Sequence, residues 1–470
     1  MTTVDAFWEL ARAAADGRFR FNRCLVAPQP PGTPYLDVDD TEDSGPSTSS
    51  SRVLFGRLAN AGAGVGGGDA PVAVKVWFAG PGARCRATAP LEFEAAAYRY
   101  VTERAVLRGL TPALIPFLAA GECSFESFMV NARLSARARA RFEKLRDDTF
   151  RTCAARTGDS ERALPSVRML ATLSPCRKQP CRTLHDMYAE GDASTMAVLF
   201  VLTYTVDALA RIGVQHNDLH PGNVVFPDPT PPTKALVFAV PSAASGVVRV
   251  PEDLRVLRQR DLPRMPFVFD WDRAYVADLP PNPNTVGPFC DAFGQCPRVD
   301  TSYDMFTLLY GAIANRWLLN LSGFLTLPEI DVKLDQDNRY ESCRMDYGRE
   351  LCGARGRLWS KYAHRERGFP LTPGTFPTAA ELLRRPVFAE RFAFKRVEPV
   401  FHLFAPPNVD RHRVLADIET YMRREPPPAP PPMPTSPVPA PISPLPREWS
   451  DPSPPRKRKL APTTIDLVSP

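Results

Sequence analysis

Residues 215–226 read QHNDLHPGNVVF, and this run decides how the rest of the chain is interpreted. An acid at Asp218 stands five residues ahead of an amide at Asn223, and an apolar strand follows at once. An aspartate that accepts a proton from a hydroxyl, just ahead of an asparagine that can ligate Mg²⁺, is the pairing phosphoryl transfer uses. His216 precedes the acid, and His220 stands where a cation would assist the same chemistry.

Upstream, VAVKVWF sets Lys75 in the middle of an apolar strand. Burying an ammonium without a partner is costly, so the strand demands an acid nearby. The helix predicted from about Leu91 to Gly109 offers Glu94 in EFEAAAYRYV. Glu92 is the rival, but Glu94 shares the apolar face with Tyr98 and Val101 and is preferred. A lysine so paired would point at the α- and β-phosphates of a nucleotide. Downstream, PFVFDWDRAY delivers Asp270 to the end of an apolar strand. With Asn223 it would supply a carboxylate and an amide oxygen to phosphate-bound Mg²⁺.

These pieces, from Lys75 to about Leu321, resemble the protein-kinase superfamily. The strand lysine, the E-x-x-x-Y helix begun by Glu94, the loop around Asp218 and the acid Asp270 (in DWD, similar to D-F-G) match in order. TSYDMFTLLYG looks like the helix after an activation segment, with Asp304 as the buried acid tied to the catalytic loop. TLHDMY stands where the helix after the hinge begins, which puts an adenine hinge near Leu173–Cys181. The resemblance implies an α+β, bilobal fold: a small β-rich lobe and a mainly helical large lobe, with ATP and Mg²⁺ in the cleft. Lys75 and Glu94 would serve the phosphates, Asp218 and His220 the transfer, Asn223 and Asp270 the metal. The chain is similar to serine/threonine kinases of large DNA viruses, which implies a protein substrate.

The pattern departs from that family in four places. No G-x-G-x-x-G-x-V precedes Lys75. GAGVGGG, Gly62–Gly68, abuts the lysine strand too closely and reads as a long turn. Counting back favours SGPSTSSSRV, with Ser51 and Val53 at its end, as the segment over the phosphates. His220 replaces a lysine, and an imidazole supplies that charge only in part. Asp272 replaces a glycine and should restrict movement of the segment. No A-P-E string occurs in residues 287–300. D-L-H-P-G-N and DWD also resemble aminoglycoside- and choline-phosphotransferases, so a small-molecule acceptor is the alternative, and a catalytically weak scaffold the third.

The bulk properties fit this reading. A chain of 470 residues holds a two-lobed core of roughly 250–300 residues with material to spare. A net charge of +6 suits an anionic nucleotide but is too small for a nucleic-acid-coating protein. Arg133, Arg137 and Arg141 are expected on one solvated helix face, since interleaved aromatics are almost absent. None of the 10 cysteines falls in a CxxC pair, which argues against zinc, and no signal peptide opens the chain. Reduced thiols in an intracellular protein are therefore expected. MAVLFVLTYTVDALA, residues 196–210, is too short to span a bilayer and reads as a buried helix.

The expected divisions are an N-terminal helix and variable loop over 1–50, a small lobe over 51–182, a large lobe over 183–425 and a tail over 426–470. Residues 28–51 read mainly as loop, and 227–265 as an insertion between two buried strands. Helices are expected at Ser194–Ile212, Ser302–Leu321 and between 340 and 395. The Pro-rich tail should be disordered or partly polyproline II. Its cluster Arg456, Lys457, Arg458 and Lys459 looks like a nuclear import signal, which implies an import receptor as partner. TTIDLVSP beyond it is a weak candidate for strand pairing with a partner.

Overall fold

The structure, a computed structural model, describes residues 4–16, 21–26, 35–40, 51–59, 70–79, 89–157, 166–174, 181–190, 194–226, 234–241, 246–285, 296–309, 324–326, 329, 376–395 and 401–423. The chain divides into one unit over residues 1–423 and a second over 424–470. Several expectations lie wholly or partly outside the described residues: the tail, Ser44–Ser50 of the phosphate-covering segment, the Gly62–Gly68 turn, residues 310–321 of the helix expected from Ser302, and residues 340–375 of the later helical region. So do residues 175–180 of the hinge.

The fold is α+β. Its main sheet contains β1 (Tyr35–Asp40), β2 (Ser51–Ala59), β3 (Ala70–Ala79), β4 (Phe117–Cys123), β5 (Arg133–Leu134) and β6 (Ser166–Leu173), ordered β4-β6-β3-β2-β1-β5. Every neighbouring pair is antiparallel except β1 with β5. In β3, alternation buries Val72, Val74 and Val76 completely on one face, which leaves Lys75 for the other. Val53 of β2 stands directly across from Lys75.

Three expectations are corrected here. Residues 28–51 are not all loop, because Leu36 and Val38 alternate into the core and β1 pairs with β2. Arg133 does not share a helix face with Arg137 and Arg141. It lies on β5, 3.4 Å from Asp37, and Ser135 accepts the Ala138 N–H as the following helix begins. Nor are all thiols reduced: Cys24 and Cys123 form a disulfide, and Cys181 and Cys296 are disulfide-bonded as well. The Glu122 N–H donates to the carbonyl of Arg23, so residues 21–26 run beside β4 and bring Cys24 to Cys123. A closure across 99 residues leaves no spacing signature in the chain.

The helices are α1 (Val4–Ala15), α2 (Ala89–Val101), α3 (Phe125–Asn131), α4 (Ala136–Thr157), α5 (Leu184–Glu190) and α6 (Thr195–Ala210), then short helices at Thr301–Leu308, Ala379–Leu383 and Pro386–Arg391, and a final one at Arg411–Arg423. Thr195 to Leu209 of α6 are buried throughout, as a helix with few polar side chains and no polar face should be. No helix among the described residues is long and apolar enough to cross a membrane. Gly213, at φ +73°, turns the chain from α6 into β8 (Val214–Gln215). A Cβ there would approach the Cβ of Ala277 to 2.8 Å.

Three small sheets complete the unit. β7 (Arg182–Thr183) and β12 (Phe267–Val268) flank β9 (Val224–Phe226), and β8 pairs with β13 (Tyr275–Val276). The expected insertion carries β10 (Ala235–Ala239) and β11 (Leu254–Leu257), and β14 (Phe401–Phe404) returns from far along the chain to pair in parallel with β10.

Candidate active site

Three separated stretches meet at Lys75. Its Nζ lies 2.6 Å from Glu94 Oε2 and 3.6 Å from Asp270 Oδ1. Glu94 sits on the buried face of α2 with Leu91, Ala97, Tyr98 and Val101, whereas Glu92 points away, 3.8 Å from Arg168. Burial by itself would lower the Lys75 pKa, but the Glu94 and Asp270 carboxylates outweigh it and the net shift is upward. Burial pushes Glu94 up to about 7 against the pull of Lys75. An ammonium between two carboxylates keeps its proton at neutral pH.

The loop from β8 to β9 is held from beneath. The backbone N–H groups of His216 and Asn217 donate to Asp304 at 3.0 and 2.9 Å. Burial pushes Asp304 up to about 7, and these two bonds oppose the shift. His216 is fully buried, and burial lowers its pKa, so the ring is neutral. Its Nδ1 accepts the Asp218 N–H at 3.3 Å, which leaves the proton on Nε2 to donate to the Phe269 carbonyl at 2.9 Å. Asn217 adopts φ 64°, a left-handed conformation that Asn tolerates better than most residues. Its amide accepts from Gln215 and donates to the Cys296 carbonyl, which braces it on both sides.

Asn223 donates through Nδ2 to the Asp218 carbonyl at 2.9 Å, leaving Oδ1 as its acceptor for a cation. The Phe269 N–H donates to the Asn223 carbonyl, and the Asp218 and Asp270 segments are thereby fastened together. Asp270 has φ 70° and a side chain that is one-third exposed. Strain of this kind, held by surrounding contacts, is found at functional positions. Asp270 and Asn223 carry a carboxylate and an amide oxygen, donor types that Mg²⁺ accepts when phosphate oxygens complete its shell. Among the described residues no group of three or more His, Cys, Asp or Glu side chains is arranged to hold a metal.

His220 Nδ1 accepts the Gly222 N–H at 3.1 Å and caps the turn Pro221–Asn223. Ser51 is the first residue of β2 and buried, and Val53 lies two pairs further on, across from Lys75. Asp272 is restrained at its backbone: its carbonyl accepts from both Asn282 and Asn284. Burial, reinforced by Asp270, pushes its carboxyl up to about 7.

Two contacts escaped the sequence reading. The Tyr98 hydroxyl accepts the Asp270 N–H at 3.0 Å, so α2 holds both the partner of Lys75 and the backbone of the acid. Tyr98 closes the E-x-x-x-Y spacing begun by Glu94, and that spacing was the available signal for the contact. Arg273, three residues past Asp270, places Nη1 3.3 Å from Asp218 Oδ2. No local pattern signals that contact.

Comparison with known protein families finds no match to this chain. Comparison with curated proteins likewise finds none.

Proposed function

We propose that the chain is an ATP- and Mg²⁺-dependent protein kinase with a kinase-like bilobal fold, transferring the γ-phosphate to serine or threonine hydroxyls. The observation that carries this reading is the convergence of Lys75, Glu94 and Asp270 beside a loop bearing Asp218 and Asn223. Lys75, oriented by Glu94, binds the α- and β-phosphates. Asp270 and Asn223 hold Mg²⁺, which would neutralise charge on the phosphates. Asp218 orients the acceptor hydroxyl. The hydroxyl oxygen bonds to the γ-phosphorus, and the bond from phosphorus to the bridging oxygen breaks. The electron pair leaves with ADP, and the hydroxyl proton passes to Asp218. The motifs around Asp218, Glu94 and Asp304, which resemble those of serine/threonine kinases of large DNA viruses, favour a viral serine/threonine kinase. The basic cluster at 456–459 would engage an import receptor and bring the enzyme to the nucleus.

His220 favours a second reading. Its Nδ1 is committed to the Gly222 N–H, so it does not reproduce the lysine of protein kinases, and a small-molecule acceptor fits that loop. The test is transfer from γ-labelled ATP to casein, histone and myelin basic protein, beside an Asp218→Asn control. Labelling by the wild type and not by the variant is expected. ATP binding with no protein labelled would shift the acceptor to an aminoglycoside- or choline-like alcohol. Absence of transfer to either class would leave a nucleotide-binding scaffold.

A further inference from the structure

We infer that Arg273 positions Asp218 and supplies the fixed positive charge beside the transferring phosphoryl group, the task left open by His220. The inference rests on the phosphotransferase reading above and adds to it a residue outside the catalytic loop. The guanidinium Nη1 stands 3.3 Å from Asp218 Oδ2. The Arg273 side chain is 37 % exposed and that of Asp218 22 %, so the pair opens toward solvent and is not sealed in the core.

Charge balance around the site gives the contact its meaning. At Asp272, burial, Asp270 and Asp218 push the carboxyl up while Lys75 and Arg273 pull it down. Lys75 is taken by Glu94 and Asp270. His220 spends Nδ1 on the Gly222 N–H, and an imidazole is only partly charged near neutral pH. Arginine stays charged at any working pH, and its planar guanidinium presents five N–H donors. Phosphoryl transfer through a loose transition state needs a well-aimed acceptor and spread-out charge neutralisation more than a strong base. A guanidinium against Asp218 weakens it little as an aiming group and meets the second need. The backbone supports this placement, since carbonyls of Asp272 and Ala274, on either side of Arg273, accept from Asn282.

The test is steady-state transfer by the full chain to its best acceptor, with Mg²⁺–ATP binding measured separately. Arg273→Ala should lower kcat about 10²-fold or more while the KM for ATP stays within about threefold. Arg273→Lys, which keeps the charge, should recover at least about tenfold of that loss, and His220→Ala should cost less than Arg273→Ala. If Arg273→Ala fails to fold, Arg273→Gln, similar in length and uncharged, carries the same expectation. A kcat within about threefold of wild type for the uncharged variants overturns the inference. So does a lysine variant no better than alanine, or a greater loss at His220. A wild type no more active than Asp218→Asn would instead overturn the phosphotransferase reading, and this inference with it.

Discussion

The strands β3 and β10 are both central in their sheets and both apolar, yet they serve opposite ends. In β10, Leu236 and Phe238 face one cluster while Val237 and Ala239 face another. Phe238 stacks on Phe404 of β14 at 5.3 Å and meets the edges of Phe200 and Tyr204. Both faces are covered, so an uninterrupted apolar run is what the position calls for. In β3 one face is equally apolar, but the other bears Lys75 and must be matched by Glu94 and Asp270. A buried charge makes the surrounding structure supply partners from a distance, whereas a buried valine asks only for volume. The small sheet is thus a packing device, whereas the large one contributes Lys75, which meets groups from α2 and from the segment after β12.

Substitutions should separate these two roles. Lys75→Met is expected to have the largest effect, lowering transfer from ATP by about 10³-fold while the folded protein persists. A variant that retains most of its activity, by radiolabel assay, would break the contrast between the sheets. Leu254→Ala, in the small sheet at a fully buried position, should cost about 3 kcal/mol in urea unfolding. Its transfer rate at low temperature should match wild type.

Arg411→Ala comes next. Arg411 donates to the carbonyls of Arg108, Gly109 and Leu403 at 2.7, 3.0 and 2.7 Å, joining β14 to the turn that follows α2. Its loss should cost about 2 kcal/mol, because the half-buried Gly109 and buried Leu403 carbonyls would lose a charged donor. A tenfold fall in transfer by the folded variant would show that the small sheet also steers α2 and Glu94.

The smallest effect expected is a pH dependence of stability. Burial raises Asp304 in the folded chain to about 7, above the ordinary value near 3.9. The folded state therefore binds the proton more tightly. The resulting stability is complete below about pH 4 and is lost as pH rises through 7. The thermal midpoint should fall between pH 5 and 8. Asp304→Asn should flatten part of that slope, the remainder coming from Glu94 and Asp272, which shift the same way. An unchanged slope in the variant would assign the dependence to other groups.

Legibility followed range. The helix carrying Glu94, the buried helix α6 and the strands on either side of Lys75 were readable because their side-chain periods are local. The preference for Glu94 over Glu92 came from one helix face. β1 was missed, since two inward residues among Asp and Pro give too short an alternation. The Arg133 contact was misplaced because a helical pattern was extended back past Ser135.

By itself, the sequence determined the order of chemical groups along the chain, the burial of α6 and the demand for a carboxylate near Lys75. These follow from residue type, period and the cost of an unpaired charge, all of which act within a few residues. Only the tertiary structure decided that Tyr98 holds the Asp270 backbone, that Arg273 meets Asp218, that Cys24 closes on Cys123 and that β14 returns to β10. Such meetings between remote positions are selected by which packing buries the most apolar surface while pairing every polar group, and no local preference encodes that choice.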